Sequence, residues 1–391
     1  MSLLRIFRAV SLPSICAVVL SGAWSGPVGQ AFAVDVQPIK IGFVLPLSGP
    51  AAGGSAEGGQ QGLRLAVDEI NSRHLAARPF EAIIADDASD PRTAAEVCKR
   101  LIFQDKVDAI ISQGPTANRM ACNQAALKAG IPHLAALSGP GGMCFANLFM
   151  VGPETSQTLL TLVKQIVKDG NTKLYYMGAD SSPIRDALSP AMATAEAEGG
   201  KIIGSSFSPS GTSDFSSDLA KIAAARPDAV IMMLMGADAV TFSRQFGSDD
   251  RVAAIKRADF LMTEKVLNSL GRSGANIYSA ASYYSSVPGE ASAEFKTSMI
   301  RMYGDKAAPD VWAVMVYNAV YVLAKAVTSP TSGAKEILEA LPNISAEGPE
   351  GRIKISGKYI STPVFVGKTD DAGKLQIVAT YLDVPPAPHC K

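Results

Sequence analysis

An apolar run, a loop of small residues and a helical pattern open the folded part of the chain. Residues 39–45 are mostly apolar, which is typical of a buried strand, and the loop that follows is rich in Pro, Ser and Gly. Leu63, Ala66 and Ile70 then recur at helical intervals, which predicts one buried face of an α-helix. Strand, loop and helix form the first unit of an open α/β sheet, in which ligands bind at the carboxyl ends of the strands.

The same alternation continues and predicts two α/β lobes. Before Gly152, further strands are expected at 81–85, 108–112, 131–136 and 148–151, and helices at 94–104 and 117–129. Gly152 and Pro153 predict a crossover, after which helices are expected at 156–168, 214–225 and 238–246, and strands at 173–177, 201–207, 228–235 and 259–262. Residues 276–283 are expected to cross back. Helices at 290–303 and 309–327 and strands at 351–355, 363–369 and 375–381 complete the pattern.

Composition narrows the class of protein. A chain of 391 residues is too long for one small core, which agrees with two lobes. The formal net charge is zero, and removing residues 1–33 takes away Arg5 and Arg8 but no acid, leaving about −2. A nucleic-acid-binding protein would carry a basic stripe, so we expect no nucleic-acid partner. The three histidines are far apart in sequence, and no Cys-x-x-Cys motif is present, so no metal site is expected.

The N-terminus has the features of a signal peptide. Arg5 and Arg8 precede an apolar stretch at 9–20, and Ala31-Phe32-Ala33 is a small-x-small cleavage site. The alternative, a membrane anchor, needs a longer apolar helix than this one, which Pro13 interrupts. We therefore expect residues 1–33 to be removed and the mature protein to be soluble in the periplasm.

Four cysteines remain after this cleavage, at positions 98, 122, 144 and 390. In an oxidising compartment they can pair, and four cysteines allow three full pairings. The interpretation that favours a disulfide joins Cys122, on the helix after the third strand, with Cys144, on the loop after the fourth. Free buried thiols are the alternative.

No catalytic motif stands out. The loop at 53–62 lacks the Gly-Lys-Ser/Thr ending of a phosphate-binding loop, and no Gly-x-Ser-x-Gly elbow occurs. Ser332 and Lys335 match Ser-x-x-Lys, but they lie at an expected helix start. Asp86 and Asp87 end a strand, where carboxylates usually bind loop amides or cap a helix. The sequence therefore predicts neither an enzyme nor a cofactor.

Binding chemistry is present instead at the strand ends. The loops there are rich in hydroxyls and small residues, at Ser48, at Gly114-Pro115-Thr116 and at Ser138-Gly139. Exposed amides and hydroxyls at helix N-termini suit an anionic group such as a carboxylate.

The chain resembles the type I periplasmic solute-binding proteins of ABC transporters, in the branch that binds branched-chain amino acids and amides or urea. The resemblance runs from about residue 39 to 378 and rests on IGFVLPLSGPAAGG, GLRLAVDEIN, ADDASDPRTAAEVCKRLI, DFSSDLAKIAAARPDAVI and VWAVMVYNAVYVLAKAV. It implies two Rossmann-like lobes joined by a three-strand hinge, with residues 34–153 and 283–346 in lobe 1 and 154–282 and 347–391 in lobe 2. The ligand is then held in the cleft between them.

The resemblance also implies roles for particular residues. Thr116 matches the hydroxyl that binds the ligand carboxylate, and Ser138 or Gly139 matches the next loop; a plain helix cap is the alternative for Thr116. Glu264 matches an acid that binds the amino group, and its alternative is a helix cap next to Thr263. Ser55 matches the position of an aromatic residue that covers the ligand. The loop that usually supplies a tyrosine contains Asp180, Ser181, Pro183 and Ile184 here, and the strand-end position at Met235-Gly236 is not aromatic. These departures weaken a simple leucine or isoleucine assignment.

Together these features predict a monomeric solute-binding protein that closes on its ligand and delivers it to ABC transporter permease subunits. Amino acids are the leading ligands, followed by amides or urea and then by aromatic acids. The alternatives are a ligand-sensing regulator on the same fold and an enzyme, for which the sequence offers no catalytic cluster.

Overall fold

The computed structural model describes residues 37–52, 55–260 and 262–387. The predicted signal segment, Cys16 and Cys390 lie outside these ranges. The first strands are β1 Ile39–Leu45, β2 Phe80–Asp86, β3 Ala109–Ser112, β4 His133–Ala135 and β5 Leu148–Met150. The helices among them are α1 Ala56–Ser72, α2 Pro91–Phe103 and α3 Thr116–Ala129.

The middle of the chain repeats this alternation. Its helices are α4 Thr155–Lys168, α5 Ser182–Asp186, α6 Leu188–Ala197, α7 Ser216–Ala225, α8 Gly236–Ser248 and α9 Glu264–Leu270. Its strands are β6 Lys173–Ala179, β7 Lys201–Ser208, β8 Ala229–Met233, β9 Lys256–Asp259 and β10 Ile277–Ala281. The final part contains α10 Glu290–Tyr303, α11 Val311–Ala326, α12 Ala334–Ala340, β11 Ser345–Gly348, β12 Gly351–Ser356, β13 Tyr359–Thr369 and β14 Leu375–Val384.

The strands form one sheet in two halves. The path is β2-β1-β3-β4-β5-β13-β10-β9-β8-β6-β7. We call β2, β1, β3, β4 and β5 the first half-sheet and β10, β9, β8, β6 and β7 the second; within each, all neighbours are parallel. This is the α/β class that the sequence predicts, with short apolar strands buried on both faces.

Strand β1 shows how the sequence positions the helices on both faces. Ile41 and Phe43 belong to the larger buried cluster, which includes the inner faces of α1 and α11, whereas Val44 points into the cluster beneath α2 and α3. Gly42 allows close packing on the second face, because a Cβ there would lie 2.9 Å from Ile110 Cδ1 and 3.1 Å from Leu101 Cδ1. The alternation of β1 residues therefore fixes a three-layer unit at the start of the chain.

The chain passes between the half-sheets at three places: between β5 and α4, between β10 and α10, and within β13. Tyr359 at the start of β13 pairs with β5, whereas Phe365 and Lys368 pair with β10. Strand β12 pairs with the start of β13, so residues 351–356 extend the first half-sheet. The predicted lobe boundary at residue 347 precedes β12, whereas the third crossing lies within β13; the division into two lobes remains a prediction.

A disulfide joins Cys98 on α2 to Cys122 on α3, with the two Cα atoms 5.4 Å apart. The predicted pairing of Cys122 with Cys144 is therefore wrong; Cys144 is disulfide-bonded as well. The reason is that α2 and α3 pack side by side on one face of the first half-sheet, which brings two fully buried cysteines together.

Candidate functional site

All the predicted ligand-binding residues lie in loops or first helical turns that follow the carboxyl ends of strands. In the first half-sheet these segments follow β1, β3 and β4, which are neighbours in the sheet. In the second they follow β6, β8 and β9, which are also neighbours. We call these six segments together the strand-end region, and its geometry follows from the strand order.

The segment after β1 is held by Asp86 at the end of β2. The Ser48 hydroxyl donates to Asp86 Oδ2 at 2.6 Å, and the amides of Leu47 and Ser48 donate to Asp86 Oδ1 at 2.8 and 3.2 Å. Burial acts to raise the pKa of Asp86, but these hydrogen bonds and one from the Ala88 amide lower it below its usual value. The Ser48 hydroxyl is thus hydrogen-bonded within the protein, to the neighbouring strand β2. Ser55 occupies the N-cap position of α1 without a side-chain cap bond.

The segment after β3 leads into α3 without a side-chain cap. Pro115 occupies the N-cap position and has no side-chain acceptor for the first amides of the helix. Gly114 is needed for close packing, because a Cβ there would lie 2.9 Å from Oδ2 of the buried Asp87. Thr116, the first helical residue, is exposed. The N-terminus of this 14-residue helix is therefore open to an external acceptor.

Arg119 lies directly behind Thr116, although the sequence analysis did not single it out. Its side chain is 2% exposed, and its Nη2 lies 3.4 Å from Thr116 Oγ1 while Nη1 lies 3.3 Å from Met150 Sδ. A Cβ on Gly139 would lie 2.9 Å from Nη1, so this glycine leaves room for the guanidinium. Burial lowers the pKa of Arg119 to about 10. One arginine thus links the segments after β3 and β4.

Residues Ser138 and Gly139 belong to a loop that is tied to the first crossing. The Gly139 carbonyl accepts from the amide of Thr155 at 2.9 Å, and its amide donates to the Pro153 carbonyl at 3.4 Å. Gly139 is buried and Ser138 half-buried. The loop after β4 therefore has its position set by the segment through which the chain leaves the first half-sheet.

The segment after β6 contains a paired acid, and the segment after β8 contains a glycine with a positive φ. Arg185 Nε donates to Asp180 at 2.7 Å, and this hydrogen bond lowers the pKa of Asp180. Ser181 is the N-cap of the short α5, and Pro183 is exposed in its first turn. Gly236 has φ +56° at the start of α8, a conformation that favours glycine.

Glu264 is bound to the second crossing. Its Oε2 accepts from the Ser285 amide at 2.7 Å and its Oε1 from the Ser285 hydroxyl at 3.1 Å. The cap of α9 is Thr263, whose Oγ1 accepts from the Val266 amide at 3.4 Å. The carboxylate of Glu264 therefore holds the chain segment between β10 and α10.

An ion pair connects the strand-end sides of the two half-sheets. Lys265 Nζ of α9 lies 3.6 Å from Glu57 Oε2 in the first turn of α1. Beside it, Asp310 caps α11 by accepting from the Ala313 amide at 3.0 Å, and burial raises its pKa to about 6. Gly58 has no side chain at the point where α1 approaches this carboxylate. These contacts show that the two sets of strand ends face each other.

Within the described ranges, no three His, Cys, Asp or Glu side chains are grouped to hold a metal ion. The helices of the same ranges include none with the length and apolar character that a bilayer crossing needs. A groove of about 690 Å³ is lined by α4, α6 and β14 and lies away from the strand-end region.

The sequence model of the periplasmic binding protein family matches residues 38–374. The chain belongs to this family. Its α/β fold is that of the type I periplasmic binding proteins, which confirms the fold that the sequence predicts. The match spans both half-sheets, so the six strand-end segments all lie within the family's domain.

Curated relatives of the chain carry the names of amino-acid-binding proteins. The Leu/Ile/Val-binding protein homolog 8 of Brucella suis biovar 1 is 27% identical over 227 residues, which cover 55% of this chain and 56% of the relative. Homolog 7 of Brucella abortus is 26% identical over 222 residues. The chain spans about half the length of the curated relatives it matches.

Solved structures of periplasmic binding proteins share the fold over nearly the whole chain. An ABC transporter substrate-binding protein from Sphaerobacter thermophilus has a TM-score of 0.81 and 23% identity, covering 89% of this chain and 99% of its own. A solute-binding protein from R. palustris in complex with benzoate has a TM-score of 0.77 and 23% identity, covering 90% and 99%. A branched-chain amino acid binding protein from Streptococcus pneumoniae in complex with isoleucine has a TM-score of 0.75 and 22% identity, covering 89% and 100%.

Proposed function

We propose that this protein is the extracytoplasmic solute-binding component of an ABC importer. It captures a small solute with a carboxylate or amide group between two lobes, each built on one half-sheet, and delivers it to the permease. Closure about the three crossings provides the signal that the permease recognises, because a solute that contacts both lobes stabilises the closed form.

The observation that carries this proposal is the open N-terminus of α3 in the strand-end region. Thr116 is exposed there, Pro115 supplies no cap, and the buried Arg119 adds a positive charge behind the helix end. Helix amides, a hydroxyl and a cation together favour an anionic group. No nucleophile or base is needed for such a site, so binding is the chemistry that this arrangement supports.

The same features call for a solute with a carboxylate or carbonyl group. Amino acids, amides or urea, and aromatic acids all carry such a group. The structural relatives in complex with benzoate and isoleucine support small organic acids as a group.

A solute screen on ligand-free protein tests the proposal. The mature chain is unfolded in guanidinium, washed and refolded, and its thermal midpoint is measured with members of the three solute classes. A solute at a hundredfold excess over its Kd should stabilise the fold by about 2.7 kcal/mol. The Thr116→Val variant should lose most of this shift, whereas Ser269→Ala, on the exposed face of α9, should keep it. If no member of the three classes shifts the midpoint, the proposal is wrong.

A further inference from the structure

Among the described residues, Arg119 and Arg257 are the two arginines that are almost fully buried, and they differ in how their charge is accommodated. Arg257 donates to three backbone carbonyl oxygens at 2.7–3.1 Å, those of Ser243, Ser273 and Ala275. Arg119 has only a thioether sulfur and a hydroxyl at 3.3 and 3.4 Å, those of Met150 and Thr116. None of the ion pairs among the described residues includes Arg119. Arg257 is therefore a structural arginine, whereas Arg119 has no counter-charge among the residues that the structure describes.

The location of Arg119 makes an external anion the natural counter-charge. Its guanidinium lies between Thr116 and Gly139, where the segments after β3 and β4 meet. The N-terminus of α3 has the same sign of charge and is uncapped. A buried cation without a partner is costly, and an anion at the helix N-terminus reduces that cost.

The acids of the strand-end region are, in contrast, already paired. Both carboxylate oxygens of Glu264 accept hydrogen bonds from Ser285, and Asp180 is bound by Arg185. Glu57 pairs with Lys265. A solute ammonium group would have to displace a partner to pair with Glu264, Asp180 or Glu57, whereas a solute carboxylate displaces no acid at Arg119.

Apolar side chains are exposed on both sides of the strand-end region. Leu47, after β1, is 39% exposed, and Met235, before α8, is 56% exposed. One comes from each half-sheet, so closure would bring them toward the same solute. Their character favours an uncharged, apolar solute body.

We infer that the solute is an apolar monocarboxylate without an α-ammonium group, and that Arg119 balances its charge at the N-terminus of α3. This inference rests on the proposed function and specifies its solute class. The carboxylate accepts from the amides at the start of α3 and from the Thr116 hydroxyl, with the guanidinium behind them. The apolar body extends toward Leu47 and Met235.

Matched solutes test this on the unaltered protein. The first series is 4-methylpentanoate, 4-methylpentanamide and leucine; the second is benzoate, benzamide and phenylalanine. Calorimetric titration of the refolded mature chain should give an acid affinity at least about tenfold above that of the amide and of the amino acid in one series. Tighter binding of leucine or phenylalanine overturns the inference but leaves the proposed function intact. Absence of binding in both series overturns the inference, whereas the proposed function fails only if no member of the three solute classes shifts the thermal midpoint.

Variants then test the role of Arg119. Arg119→Gln should weaken acid binding by about tenfold or more and amide binding by less than threefold. Arg301→Gln, an exposed arginine on α10, makes the same charge change and should leave both affinities unaltered. An unchanged ratio of acid to amide affinity in Arg119→Gln contradicts the inference. If that variant does not fold, Thr116→Val and the wild-type series still decide it.

Discussion

At the scale of single residues, a proton on the buried acid Glu350 would complete its pairing with Asn318. Asn318 Nδ2 donates to Glu350 Oε1 at 2.6 Å, while Glu350 Oε2 and Asn318 Oδ1 have no hydrogen-bond partner among the described residues. Both of these oxygens lie against Gly348, whose missing side chain leaves them room. A proton on Glu350 would let its Oε2 donate to Asn318 Oδ1, which would close a cyclic acid–amide pair. Burial raises the pKa of Glu350 to about 8, in agreement with the neutral form.

This pair makes the free energy of unfolding depend on pH. Because the folded pKa of about 8 is above the ordinary value of 4.5, the stabilisation is fully present below pH 4.5 and is lost as pH rises through 8. Glu350→Gln keeps both hydrogen bonds but has no titrating proton. We therefore expect its free energy of unfolding, relative to that of the wild type, to increase by more than about 1 kcal/mol between pH 6 and pH 9. Urea unfolding at four pH values measures this difference.

The control for this expectation is Glu347→Gln, which removes an exposed acid on β11. It should follow the wild-type pH dependence within experimental error. Parallel curves for wild type and Glu350→Gln would show that Glu350 is ionised in the folded protein.

At the scale of secondary-structure elements, the Cys98–Cys122 disulfide fastens α2 to α3. These helices cover one face of the first half-sheet, and α3 carries Thr116 at its N-terminus. A cross-link between residues 24 apart in sequence constrains the unfolded chain and stabilises the fold by roughly 3 kcal/mol. The disulfide therefore stabilises the layer that orients the open helix end.

We expect the Cys98→Ala, Cys122→Ala double variant to lose about 2–4 kcal/mol of unfolding free energy, measured in urea. Non-reducing peptide mapping of the wild type should recover the two cysteines in one cross-linked pair of peptides. Reductant should destabilise the wild type more than the double variant. Recovery of Cys122 linked to Cys144 would contradict the assignment.

The elements themselves are largely predictable from periodicity, but their pairings are not. Strand β1 is found at the predicted bounds because its apolar run is bordered by clear loop residues. Strand β9 ends at Asp259, where the sequence predicts the strand to begin, because Phe260 and Met262 are apolar but lie in a buried loop. Strand β13, which crosses between the half-sheets, begins at Tyr359, whereas the sequence predicts a strand only at 363–369, because a proline such as Pro363 normally marks the start or edge of a strand.

The contacts between side chains at the site are less predictable from the sequence than the elements or the pairing of the strands. An arginine in a helix is normally expected to be exposed to solvent. The burial of Arg119 against Gly139 depends on tertiary packing, which no local sequence pattern encodes. Glu264 is found in the predicted region, but its partner Ser285 is 21 residues away. The predicted ligand contacts of Thr116, Ser55, Gly236 and the others remain predictions.

At the scale of the whole molecule, the proposed closure would turn one half-sheet against the other about the three crossings. In this structure the contact across the strand ends includes the ion pair of Lys265 with Glu57. The Lys265 and Glu57 side chains are 75% and 54% exposed, so their attraction is weak, at most ~1 kcal/mol, and is screened by salt. A weak contact of this kind can bias a balance between open and closed forms without locking it.

Reversal of one charge should therefore weaken solute binding modestly. Lys265→Glu places two acids together and should raise the solute Kd by about two- to fivefold at 50 mM salt, and by less at 500 mM, where surface charges are screened. The double variant Glu57→Lys, Lys265→Glu restores opposite charges and should restore the affinity. Arg73→Glu reverses a similarly exposed pair, with Glu294, that joins α1 to α10 on the first half-sheet, and it should leave binding unchanged. Calorimetric titration of the wild type and the three variants shows whether the Lys265–Glu57 ion pair contributes to solute affinity. If the double variant binds no better than Lys265→Glu, the pair does not act across the cleft, and closure must depend on the solute and the three crossings alone.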